Sequence, residues 1–206
     1  KREAGEWILL DSSLVQDNTF RFEGTIDYPE VYYMSIKNEK SYATVFTEQA
    51  DIKVKVNLED FANPEISGSI SQSQYEDYLA KNDVYEEKLS DIWTQIKAVR
   101  DEGNVEQEAL LEEEFDKTDE EKRAFILQYA KDNNASVAAA YAVLRNAYYY
   151  DETDLEPVVN AFDASILESV YVKSLTERVE TMKRVAVGQP AVDFTMADIE
   201  GNPLAL

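Results

Sequence analysis

Residues 51–100 read DIKVKVNLEDFANPEISGSISQSQYEDYLAKNDVYEEKLSDIWTQIKAVR, and the hydrophobic period changes partway through them. In the first part Ile52, Val54, Val56 and Leu58 alternate with Lys53, Lys55 and Asn57, a period of two that places four aliphatics on one face of a strand. After Gly68 the spacing becomes that of a helix. Tyr75, Tyr78, Leu79, Tyr85, Leu89, Ile92, Trp93, Ile96 and Val99 recur at i, i+3 and i+4 up to Gly103. One switch of period therefore separates a β part from an α part.

Working back from the switch, short apolar runs alternate with turn residues. Asp17-Asn18 is read as the turn between a Trp7–Val15 segment and a Thr19–Ile26 strand that puts Phe20 and Phe22 on one face. Pro29 precedes a further aromatic strand, Val31–Ile36. Five or six short strands are expected, enough for a small antiparallel sandwich and too few for a doubly wound fold.

Working forward, glycine and proline become scarce and acidic helix formers dominate. A second helix is predicted from Val105 to Lys131, broken at Asn133-Asn134, and a third from Ser136 through Tyr148. Thr153 with Glu156 is read as a capping box ahead of Pro157. Ser165 with Glu168 is read as another, opening a fifth helix with a stripe of Ile166, Val170, Leu175, Val179 and Met182. The fold class expected is α+β: a β-sandwich-like domain over 1–70, a helical domain over 71–184 and a short C-terminal β-hairpin over 185–206.

Composition narrows the chemistry. The chain has no Cys and no His, so thiolate, zinc-thiolate, disulfide, imidazole-base and Ser-His-Asp chemistry all lack their residues. Its net charge of −22 repels phosphate backbones and anionic lipid, so a nucleic-acid partner is not expected. The excess acid is spread over both halves and reads as a solvated surface. The run Glu112, Glu113, Glu114, Asp116, Asp119, Glu120 and Glu121 has no calcium-loop glycine and reads as a solvated helix face, with Lys117, Lys122 and Arg123 as its partners. Catalytic residues, cofactor and metal are all expected to be none. The opening KREAGEW has neither an initiator Met nor an apolar signal core, as in a processed or trimmed chain. Asn134-Ala135-Ser136 matches a glycosylation sequon and reads instead as a helix break and cap. Tyr148, Tyr149 and Tyr150 form a candidate partner surface, set against packing at a helix end, since three consecutive helical positions cannot share one face.

The last stretch, VAVGQPAVDFTMADIEGNPLAL at 185–206, carries the most specific pattern. Gly188 and Pro190 end the last helix, and Glu200-Gly201-Asn202 turns a hairpin. Gly188, Pro190, Ala191, Asp193, Phe194, Thr195, Asp198, Gly201, Pro203, Leu204 and Leu206 together resemble the entry hairpin of peroxiredoxin-like and thioredoxin-like thiol-disulfide oxidoreductases. Residues 17–36, 45–56, 66–78 and 125–150 are similar in layout to the bacterial envelope branch of that family, in which a β domain of unknown function and a helical segment precede the thioredoxin domain. The resemblance implies a non-catalytic N-terminal region, cut before the C-x-x-C motif, that positions, dimerises or selects partners for a thioredoxin-like domain. It further implies a periplasmic or envelope location, membrane association only through an anchor outside this chain, a redox partner protein and a homodimer contact. The alternative is a self-contained ligand- or protein-binding module. Phe194, Met196, Leu204 and Leu206 would lose their cover here, and are expected to be disordered, folded back on the helices or buried in a dimer contact.

Overall fold

The computed structural model describes residues 1–3, 6–37, 39–190 and 195–205. The chain is α+β, with strands first, then five helices, then a final strand pair. The described strands are β1 (Arg2–Glu3), β2 (Glu6–Trp7), β3 (Glu30–Ser35), β4 (Tyr42–Thr47), β5 (Lys53–Asn57), β6 (Asp60–Ser67), β7 (Thr195–Ala197) and β8 (Pro203–Ala205). They pair antiparallel as β1–β2, β3–β4, β5–β6 and β7–β8. The helices are α1 (Ile70–Asp101), α2 (Val105–Asp132), α3 (Val137–Arg145), α4 (Glu152–Val159) and α5 (Val170–Val185).

The switch near residue 68 is built as its sequence dictates. Gly68 sits at φ +89°, and a Cβ there would come 2.3 Å from the Asp51 carbonyl oxygen, so only glycine passes this point. Ser69 then caps α1 by accepting from the Gln72 amide. The strand before it alternates as expected through Val56, but Leu58 is 76% exposed because it falls in the β5–β6 turn.

A two-stranded hairpin alone is marginal, and β3–β4 is held by the helices behind it. Val31 and Phe46, directly opposite each other, enter the same core as Ile126, Ala139, Val143, Leu155, Val172 and Leu175. The backbone of that pair is also tied to helices. The Phe46 amide donates to Oε1 of Gln72 on α1 at 2.9 Å, and the Val31 amide donates to the Tyr171 hydroxyl on α5 at 2.6 Å. Two side chains thus stand where neighbouring strands would.

Four readings of the sequence are corrected. Apart from Trp7, which pairs with Arg2 in β1–β2, the Trp7–Val15 and Thr19–Ile26 segments do not form ladders. The Asp17-Asn18 turn is present, with φ of 49° and 58° and reciprocal 2.9 Å bonds between Gln16 and Thr19. Beyond it, side chains take the amides, as in Arg21 to Ser13 and Ile26 to Gln49, and Leu9 and Leu14 remain more than four-fifths exposed. The cap of α4 is Asp151, which accepts from the Thr153 and Asp154 amides while Asp154 reaches back to the cap amide; Thr153 donates its hydroxyl to Asp151. The box therefore lies two residues before its predicted place. Helix α5 starts at Ser169, because Asp163 caps the turn containing Ser165 as a separate short 3₁₀ segment. Its buried stripe consequently includes Tyr171 and Val172, and Val170 faces solvent.

Gly188 takes φ +93° after α5 and Gly201 takes φ +87° in the final turn. That turn is tied by Asp198, which accepts from the Glu200 and Asn202 amides at 2.8 Å each. Asp193, Phe194 and Leu206 lie outside the described residues, as does the side chain of Leu204. Met196 does not fold back onto the helices and is 61% exposed.

Candidate functional site

One concavity lies where the β part meets the helices. It has a volume of about 400 Å³, and its walls come from β2, β3, β4, β6, α1 and α3. Trp7, Tyr33 and Tyr42 form one wall with ring centroids 5.0–5.4 Å apart, Tyr33 meeting the other two edge to face and Trp7 tilted against Tyr42. Tyr75 and Tyr141, themselves 5.5 Å apart, line the helical side with Leu79, and β6 contributes Ala62, Asn63, Pro64 and Ile66.

Local sequence explains why these rings converge. Tyr33 and Tyr42 flank the non-adjacent cross-strand positions of the β3–β4 register, and Tyr75 and Tyr78 sit on the α1 face that packs on Phe46 and α3. Burial, a hydrogen bond with Tyr33 and the nearby phenols push the Tyr141 hydroxyl well above the ordinary phenol range, with Arg145 pulling slightly the other way. Burial likewise raises Tyr75. These phenols stay neutral donors and acceptors at physiological pH.

Two charged side chains border the same groove. Arg145, on the last turn of α3 where the helix dipole favours a cation, makes no ion pair among the described residues. Glu76 accepts from the Gln72 carboxamide at 2.9 Å and has no cationic partner among the described residues. The groove therefore brings together ring faces, neutral hydroxyls, side-chain amides and one charge of each sign.

Tyr148, Tyr149 and Tyr150 do not act as one surface. Tyr150 is buried in the core and donates its hydroxyl to the Arg123 carbonyl on α2 at 3.0 Å, so it drops out of the predicted surface. Tyr148 is 68% exposed and lies 4.0 Å from the Tyr149 ring, which carries the Arg123 guanidinium over its face. The hydrogen bond with Tyr148 and partial burial push Tyr149 up to about 12. In the acidic run, Asp119 pairs with Arg123, while Glu112 and Glu114 pair with Arg100 and Lys88 of α1; Lys122 reaches Glu86. No group of His, Cys, Asp and Glu placed to hold a metal occurs among the described residues. No helix among them is long and apolar enough to cross a membrane.

The groove itself was missed in the sequence. Trp7 and Tyr42 could be read only as strand aromatics, and Arg145 lies more than a hundred residues from either. Its one legible trace was the run of tyrosines on α1, Tyr75, Tyr78 and Tyr85.

Residues 1–75 match a family model described as Domain of unknown function (DUF4369). The match spans β1–β6 and the first turns of α1, and so includes Trp7, Tyr33, Tyr42, Gln72 and Tyr75 of the groove but not Glu76, Tyr141 or Arg145. No curated protein and no solved structure matches the chain.

Proposed function

We propose that this chain is the non-catalytic N-terminal region of an envelope thiol-disulfide oxidoreductase, positioning a thioredoxin-like domain and selecting what approaches it. The observation that carries the reading is the C-terminal hairpin. The stretch whose pattern resembles the family's entry hairpin pairs as β7–β8 in the register Thr195–Ala205, Met196–Leu204 and Ala197–Pro203. Its turn is set by Asp198 and Gly201, two residues of that pattern. Met196 offers an apolar face of the kind a larger sheet would cover. The match of the first third of the chain to a domain of unknown function agrees with the layout without naming a reaction.

The test is thiol alkylation of the native gene product, followed by intact mass. The reading expects a pair of reactive thiols, although residues 1–206 contain no Cys. A native product that takes up no alkylating agent under reducing conditions sinks it. The same result would favour a second reading, a self-contained binding module with no redox role, for which the aromatic groove is the supporting observation.

A further inference from the structure

The α1–α2 pair holds two apolar clusters with a polar stretch of seam between them. At the inner end Tyr78, Ile126 and Tyr129 join the main core. Residues that follow α3 tie this end down: Asn146 donates to the Tyr78 hydroxyl at 3.4 Å, and Tyr150 donates to the Arg123 carbonyl at 3.0 Å. At the outer end Ile92, Ile96 and Leu111, flanked by Val99 and Phe115, form a second cluster. Between the two ends Tyr85 stacks on Phe125 and Leu89 is buried, but three other inward positions are polar. Asn82 is 7% exposed; its Nδ2 donates to Glu86 at 3.3 Å, while its Oδ1 has no hydrogen-bond partner among the described residues. Lys122, with only 12% of its side chain exposed, reaches across the seam and donates to the same carboxylate at 2.5 Å. Thr118, one turn further out on α2, is 1% exposed, and its Oγ1 is likewise without a partner among the described residues.

Each orphaned oxygen loses its water on folding and gains no donor, so closing the seam is opposed here and favoured at the cluster on either side. From Glu86 to Asp101 the outer part of α1 runs roughly 22 Å, with α2 beside it. We infer that the outer turns of the pair, residues 90–117, are an arm that opens and closes as one unit on a hinge at Asn82, Lys122 and Thr118, while the body stays folded. Opening returns the hinge oxygens to water and exposes Ile92, Ile96 and Leu111. Closure is held by that small cluster and by the cross-helix pairs of Arg100 with Glu108 and Glu112 and of Lys88 with Glu114. The inference stands apart from the redox reading, because hinge and arm lie wholly within α1 and α2.

Hydrogen exchange of this chain, followed amide by amide by NMR across a urea series, tests it. The amides of residues 91–99 and 109–116 should share one opening constant, about a hundredfold or more above that of the buried Val143 and Leu175 amides of the body. They should also share one urea dependence, smaller than that of global unfolding. Thr118→Val keeps the shape of the side chain and removes the orphaned hydroxyl, so protection throughout the arm should rise about threefold or more. Asn82→Leu should act in the same direction. Arm amides that exchange with the opening constant and urea dependence of the body overturn the inference. So does protection that falls off residue by residue toward Gly103, the pattern of simple fraying, or a Thr118→Val chain whose arm is no better protected. The wild-type exchange pattern decides the point even if neither variant folds.

Discussion

Two hairpins in this molecule have the same strand arrangement and opposite surroundings. β3–β4 buries Ala43 and Phe46 completely and hands the outward amides of Phe46 and Val31 to Gln72 and Tyr171. β7–β8 has its turn built by Asp198 and Gly201, yet Met196 and Ile199 face solvent. Turn chemistry alone sets the geometry of a hairpin, whereas stability comes from the face that is covered. The first hairpin belongs to the core; the second presents a surface.

The sharpest way to break the contrast is to hollow the covered hairpin. Phe46→Ala should cost about 3–5 kcal/mol, because the ring is fully buried against Tyr75 and Tyr141. Urea unfolding measures it, and a loss below about 1 kcal/mol would mean that β3–β4 is not part of the core. Next in size, Gln72→Ala orphans the Phe46 amide and should cost about 1–3 kcal/mol in the same assay, with β3–β4 amide exchange accelerating near Phe46.

Alkaline titration sharpens the same point. Tyr78, Tyr141, Tyr150 and Tyr171 are all raised above the ordinary phenol value of 10.0, chiefly by burial. A raised folded value means that the stability is fully present below about 10, where both states are protonated, and is lost as pH climbs toward the folded values because the unfolded chain ionises first. Absorbance near 295 nm should therefore rise together with loss of helical circular dichroism, an ordering that independent ionisation of a folded core would contradict. At the other end of the scale, Asp198→Ala should melt β7–β8 while leaving the global unfolding midpoint within error, since none of the covered core depends on it.

What was legible in the sequence follows the same division between local and covered structure. The period change after Gly68, the cap at Ser136 and the final turn depend on neighbours within a few residues, and each stands where the pattern placed it. The residues 8–26 did not become strands because alternation shows that a segment could pair, not that a partner exists. The capping boxes slipped because Asp151 and Ser169 compete as caps with Thr153 and Ser165, and the bonds go to Asp151 and Ser169. Which of Tyr148, Tyr149 and Tyr150 packs and which stays exposed was not legible, because the burial of Tyr150 depends on α2, distant in sequence. The groove was invisible for the same reason: Trp7, Tyr42, Tyr75 and Arg145 meet only through the packing of hairpins on helices.

The central claim, that β7–β8 is a joining surface, is tested most directly by hydrogen exchange over residues 195–205 in this chain and in the native gene product. The account predicts fast exchange in the isolated chain and strong protection in the native product, where the exposed face of Met196 would be covered. Equally fast exchange in both would contradict it.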